Sequence, residues 1–384
     1  MIKTIKLFSV ISCLVGFLCL PVSCTLTKDD DNPNGNQQEQ EQEQEEQKPT
    51  GELTLEVDEP LIRADGVSCA VLTVKMGETV IAEDVTFYDA QTNKPVEIPD
   101  MRFTTTTPGK YSFWAAYKTK HTDAVSVTAI SAAIPELAED TDPSCTDFTR
   151  KVLIQQYTGT GCGYCPYMIK LLRKFAANSE NEGKWELAAI HSYGENDPAY
   201  LSASLDGAMG VRSYPTLVLD LDKNIRWQYY NNLDGFQTLF DKEYSAAVAK
   251  AGIALSTVLD GNQLVVKVGV KAAEDNRYGI CLWVLEDGIY AKQTGADGDD
   301  SFNTHNNCVR IAAGQNSAND FSGTKLDIKA GETEELFYLL DVEEGWVGEN
   351  LHVLGIVTVE GSNGFTANNV VSCAVNSSVG FSYR

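Results

Sequence analysis

"TGTGCGYCPYMIKLL", residues 158–172, decides how this chain is read. The apolar run "KVLIQQYT" (151–158) leads into it, and Cys162 and Cys165 then stand two residues apart at the mouth of a helix. Met168, Ile169, Leu172, Phe175 and Ala176 hold one helical face for more than two turns beyond them. A cysteine at a helix N-terminus feels unpaired N–H groups and the positive end of the helix dipole, which favours the thiolate. Cys162 therefore reads as an attacking thiol. Cys165, one turn further in, reads as the shielded thiol that resolves a mixed disulfide. Gly161 and Gly163 leave room for a partner backbone to approach.

Outward from the pair, the strand "WELAAIHS" (185–192) is followed by Asp197-Pro198, an N-cap and first helical position, with Leu201, Leu205 and Met209 on one face. "YPTLVLDLD" (214–222) and "IRWQYY" (225–230) read as a hairpin, and a last helix carries Phe236, Leu239, Phe240 and Tyr244. The order strand, helix, strand, helix, strand, strand, helix makes residues 145–250 a small α/β layer. Residues 52–131 read as all-β, with "LTLEV", "CAVLTVKM", "DVTFYD", "YSFWAAYK" and "AVSVTAI" as short strands between Gly and Pro turns. Residues 252–384 return to about eight strands, a second β-sandwich. The expected class is a multidomain α/β plus β protein.

The element order, the CxxC after the first strand, and Tyr214-Pro215 ahead of a hydrophobic strand resemble the thioredoxin fold. That resemblance implies a cis proline at Pro215 facing the dithiol, with Tyr214 and Pro215 offering backbone groups to an extended substrate. "CGYCP" beside "QQYTGTG", together with "HSYGENDP" (191–198) and "NTHNNCVR" (303–310), is similar to the outer-membrane-protein-28-related lipoproteins over residues 145–384. These carry a thioredoxin-like module followed by a β domain. "TTPGKYSFWAAYKTKHTDAVSVTAI" (106–130) resembles the last hairpin of bacterial immunoglobulin-like domains, so both β blocks are expected as immunoglobulin-like sandwiches. Two positions depart from the thioredoxin pattern. Gln156 stands where a buried acid would take the proton of the resolving thiol, and Gly161 replaces the aromatic residue before the first cysteine.

The N-terminus reads as targeting. Lys3 and Lys6, an apolar run from Leu7 to Leu20, and Pro21-Val22-Ser23 before Cys24 make residues 1–23 a lipoprotein signal peptide, with cleavage before Cys24 and lipidation of that thiol. Residues 24–51, rich in Glu, Gln and Asp, form a disordered acidic tether. Lys28-Asp29-Asp30-Asp31 resembles the export signal of surface lipoproteins. The expected location is the outer membrane, at the cell surface or else facing the periplasm, with membrane attachment through the lipid on Cys24.

The formal net charge of −24 over 384 residues argues against nucleic-acid partners. No cofactor is implied. Of ten cysteines, seven lie beyond the targeting region, so an odd number precludes full internal pairing; Cys281 with Cys308 is open if their strands are neighbours. No metal site is expected. A site of Cys162, Cys165 and His191 is the weaker alternative, and the acidic loop with Asp297, Asp299 and Asp300 lacks the EF-hand positions. Two functions remain: thiol-disulfide exchange with extracytoplasmic proteins, or a surface binding protein in which Cys162–Cys165 is a static disulfide.

Overall fold

The computed structural model describes residues 50–314, 320–361 and 364–384, with the backbone of 3–6. Cys24 and almost all of the signal peptide and tether lie outside the described residues. Among the described residues no helix is long and apolar enough to cross a membrane.

In the first block, β1 (Leu53–Val57) pairs with β3 (Ala70–Met76), while β2 (Leu61–Arg63), β6 (Val125–Ile130), β5 (Gly109–Tyr117) and β4 (Val85–Asp89) form a second sheet in that order. Alternation along β3, with every second residue buried, turns Leu72 and Val74 inward. They meet Phe87, Phe113, Ala115 and Val127 of the facing sheet, closing a core of their own.

The central block runs β7 (Val152–Thr158), α1 (Cys165–Ala176), β8 (Trp185–His191), α2 (Ser204–Met209), β9 (Thr216–Leu219), β10 (Arg226–Trp227) and α3 (Leu233–Ala246). This is the order read from the sequence. β7 is buried along its whole length, as expected of a strand covered on both faces. Val152 and Ile154 face α1 and α3, where Met168, Leu172, Phe175, Phe236 and Phe240 complete an aromatic-rich core. Phe175 meets Phe236 and Phe240 edge-on, with centroids 5.0 and 4.8 Å apart. α2 is shorter than the periodicity predicts. It starts at Ser204 and stops at Gly210, whose left-handed φ of 63° ends the helix.

The third block adds β11 (Ala251–Asp260), β12 (Gln263–Ala272), β13 (Asn276–Glu286), β14 (Cys308–Ala313), β15 (Thr324–Ile328), β16 (Thr333–Asp341), β17 (Leu351–Gly361) and β18 (Gly364–Ala374). One sheet contains β16, β12 and β11, and Lys3–Lys6 pairs antiparallel with the outer edge of β16. The other is continuous with the central block: its order is β10, β9, β7, β8, β14, β13, β17, β18, with β15 pairing on β13. The junction is narrow. Ala189 of β8 lies opposite Cys308 of β14, and the Ala189 N–H donates to Asn307 O at 2.8 Å. One sheet thus crosses the boundary between the α/β layer and the C-terminal strands, and it carries loops of both to the C-terminal end of β8.

Candidate functional site

β7 and β9 are antiparallel, with Tyr157 opposite Thr216, so the chain leaving β7 and the chain entering β9 meet at one end of the sheet. The first brings the CxxC loop. The second brings Tyr214 and Pro215, joined by a cis peptide bond. Cys162 and Cys165 are disulfide-bonded, with Cα atoms 5.4 Å apart. α1 begins at Cys165, with Tyr164 as N-cap residue, so Cys162 stands three residues before the first helical position.

Cys165 is fully buried, and Cys162 is also only 3% exposed. The loop after β13 explains this. Thr294 N–H donates to Thr160 O at 2.8 Å, and the buried Gln293 places its Nε2 2.9 Å from Cys162 O and 3.2 Å from the carbonyls of Gly159 and Thr160. With carbonyls on every side, that atom must be the amide nitrogen. Gly295, at φ 76°, lies so close that any side chain there would run into the backbone of Gly163. On the other flank, a Cβ at Gly161 would sit 3.5 Å from the Tyr193 ring. The space that the two glycines open is therefore filled by this chain's own residues. What stays exposed is Tyr164 (62%), between the two cysteines, in an aromatic group with Tyr167 and Tyr230 at centroid distances of 6.4 and 6.2 Å.

Tyr214 hydrogen-bonds to the Asp206 carboxylate, and its hydroxyl is 3.2 Å from Ser192 Oγ, which itself donates to Asp206 Oδ1 at 2.8 Å. Burial, reinforced by Asp206, pushes the Tyr214 hydroxyl up to about 12. The side chain is a fixture of the fold. Gln156 is buried on the α1 side of β7, opposite Ala189, and its Nε2 has no hydrogen-bond partner among the described residues. No carboxylate occupies that position, as the sequence indicates.

A second group of residues gathers beside the loop, and the sequence reading missed it. His191 Nδ1–H donates to Asp197 Oδ2 at 2.9 Å, and Cys308 Sγ lies 3.5 Å from His191 Nε2. Asp197 also accepts from the N–H groups of Thr160 (2.6 Å) and Ala199 (2.9 Å). Burial works against ionising this carboxyl, but the His191 ring and the two N–H groups outweigh it and hold Asp197 well below the carboxylate range. Asp197 does make the local bond of a cap to the Ala199 N–H, but no helix follows before Ser204, and its other oxygen is taken by the more distant Thr160 and His191. The His305 ring stands edge-on to His191 at 5.2 Å, with Nε2–H toward Ala291 O, and burial followed by His191 lowers its pKa. The stretches 191–198 and 303–310 thus meet in space, a proximity that neither announces locally.

Cys281 and Cys308 do lie on paired strands, but Cys308 is opposite Glu286, five residues from Cys281, and both thiols are free. His191 Nε2 faces Cys308 rather than the CxxC pair. Among the described residues no group of three or more His, Cys, Asp or Glu side chains is placed to hold a metal ion. Asp299 and Asp300 are engaged locally, accepting from Ser301 N–H and from the Asn303 side chain.

No protein-family model matches the chain, and no curated protein matches it. Among solved structures, it is similar to HBP35 of Porphyromonas gingivalis at 16% identity and a TM-score of 0.49, covering 60% of this chain and 77% of that one. It is also similar to a domain of the outer membrane lipoprotein Omp28 from Porphyromonas gingivalis, at 19% identity and a TM-score of 0.23, covering 33% of this chain and 89% of that one.

Proposed function

We propose that this chain is an outer-membrane lipoprotein, lipidated at Cys24, whose central block is a thioredoxin-like exchanger of disulfides with extracytoplasmic proteins. In this reading the blocks at 52–131 and 252–384 are immunoglobulin-like sandwiches, the first a spacer and the second a partner that supplies the loop over the dithiol. The observation that carries the proposal is the convergence of the Cys162–Cys165 disulfide and the cis Tyr214-Pro215 segment at one end of the β7–β9 pair. A substrate thiolate attacks the disulfide and forms a mixed disulfide with Cys162, and Cys165 leaves as the thiolate. In the reverse direction Cys165 attacks that mixed disulfide and expels the substrate thiolate, so the 162–165 bond re-forms. The exposed Tyr164 and the backbone of Tyr214 and Pro215 position the partner chain.

The second reading, a static disulfide in a surface binding protein, is favoured by one observation: Cys162 is 3% exposed beneath Gln293 and Gly295. Variants expressed in the native host separate the two. Cys165→Ser is expected to accumulate mixed disulfides through Cys162, visible as high-mass bands that collapse on reduction, and Cys162→Ser to accumulate none. Absence of bands from Cys165→Ser would leave the binding reading in place.

A further inference from the structure

The face of β7 toward α1 changes character along the strand. Ile154 packs into the core with α1 and α3, but two and four residues on, the same face carries Gln156 and Thr158, opposite Ala189 and His191 of β8. α1 turns Ile169, Leu172, Arg173 and Ala176 toward them, at the i, i+3, i+4, i+7 spacing of one helix side. α1 lies chiefly over β7 and Ala189 is small, so β8 is left partly bare. The segment 302–307 of the third block closes the far side. Its Phe302 is buried and held by Arg173, whose guanidinium stands 4.6 Å from the ring and donates to Ser301 Oγ and O at 2.9 Å. Between these walls is a cavity of about 190 Å³. A cavity of roughly 150 Å³ is enough to hold benzene.

The walls are apolar, with Ile169, Leu172 and Leu187 beside the half-buried Trp185. The floor is polar. Gln156 and Thr158 are 4% and 3% exposed, and His305 spends its N–H on Ala291 O. Burial, followed by His191, lowers the His305 pKa, which keeps that ring neutral at pH 7. His191 is taken up by Asp197 and Cys308. Among the described residues that line the cavity, the only Asp, Glu, Lys or Arg is Arg173, exposed at the mouth. An ionised ligand head on this floor would be stranded without a counter-charge.

Gln156 marks the cavity as a site. Its Nε2 has no hydrogen-bond partner among the described residues, a costly condition for a buried amide. Other buried amides are satisfied: Asn181 Nδ2 donates to Phe175 O at 2.9 Å, and Asn369 Nδ2 donates to Thr149 O and Ala251 O. Buried atoms of Arg150, Gln155, Trp283 and Gln293 also lack partners, but none of those residues lines the cavity. A half-turn of the Gln156 amide exchanges its N–H and C=O ends.

We propose that this cavity binds a small, neutral, one-ring phenol, with the hydroxyl on the Gln156 amide and the ring between Ile169, Leu172 and Leu187. A hydroxyl both donates and accepts, so it matches an amide that turns either end toward it. The site is separate from the dithiol and stands whether or not that pair exchanges.

p-Cresol, toluene and 4-methylbenzoate share one methylated ring and differ in its head. Each is titrated into the folded wild-type chain and followed by NMR at the Trp185 indole N–H and the methyls of Ile169, Leu172 and Leu187. p-Cresol is expected to shift these signals with a Kd of about 0.1–1 mM, reasonable for so small a ligand. Toluene should bind about tenfold more weakly, because it leaves the amide unpaired, and 4-methylbenzoate should not bind. A folded Gln156→Leu protein should still bind toluene but lose the preference for p-cresol. Ala189→Leu, which fills the cavity, should abolish binding of both. The wild-type comparison needs no variant, so it decides even where a variant fails to fold. Equal affinity for p-cresol and toluene, tighter binding of 4-methylbenzoate, or p-cresol shifts confined to the exposed Tyr164 and Tyr167 would overturn the proposal. So would a preference for p-cresol that survives in folded Gln156→Leu.

Discussion

The dithiol loop and the Cys308 cluster lie on neighbouring strand ends, yet their sulfurs live in different company. At the loop, Cys162 and Cys165 are bonded to each other and surrounded by backbone: glycines, carbonyls and the amide of Gln293. At the cluster, one free thiol faces a histidine fixed by a carboxylate. The first arrangement covers a sulfur with backbone, and the second sets one beside an imidazole. Asp197 belongs to both, because one oxygen accepts from the Thr160 N–H of the loop and from His191. A contrast built on such a shared anchor can be taken apart one residue at a time.

Replacing the anchor should have the largest effect. Asp197→Ala leaves His191 and two N–H groups without their acceptor, and a cost of roughly 3–5 kcal/mol is expected from urea denaturation at pH 7. The pH dependence has a fixed sign. The Asp197 pKa is depressed in the folded chain, so its stabilisation is present above the unfolded value near 3.8 and is lost as pH falls below it. Asp197→Ala should flatten that acid limb, and an unaltered limb would mean that the loop and the cluster are not joined through this residue.

Gly295→Val attacks the loop alone. A β-branched side chain at φ 76°, against the Gly163 backbone, should cost roughly 1–3 kcal/mol and lift residues 293–295 from the disulfide. The folded variant should lose its 162–165 bond to dithiothreitol faster than wild type, with no change in Cys308 alkylation. Gln293→Ala removes a donor shared among several carbonyls, at a cost of about 1–2 kcal/mol, and should accelerate the same reduction by a smaller factor. Equal reduction rates in wild type and both variants would remove the loop's role in access.

The smallest effect is expected at Tyr214→Phe. Loss of the hydroxyl's bonds to Asp206 and Ser192 should lower stability by about 1 kcal/mol and leave exchange intact, because the substrate would meet backbone at this position. Strong loss of exchange would give the side chain itself a part in positioning.

The same contrast explains what could be read in advance. The CxxC, the strand before it and the apolar face of α1 are contiguous, so local periodicity and the glycine–cysteine spelling carry them. The elements of the three blocks also follow from alternation and turns. The cluster is assembled from residues 191, 197 and 308, brought together by the register contact of Ala189 with Cys308 and by Arg310 donating to Pro198 O. No local pattern encodes either contact. Asp197-Pro198 even carries a misleading signal: Asp197 accepts the local Ala199 N–H as a cap would, yet its other oxygen goes to Thr160 and His191 and no helix begins before Ser204. Gln293 and Gly295, ordinary in sequence, matter because the shared sheet folds their loop onto residues 159–163.

The reduction potential of the Cys162–Cys165 pair, measured by equilibrating the folded wild-type chain against glutathione buffers and counting thiols, tests the exchange reading most directly. A working pair should titrate within the range of known exchangers, about −270 to −120 mV. A value below about −300 mV, where structural disulfides lie, would contradict it.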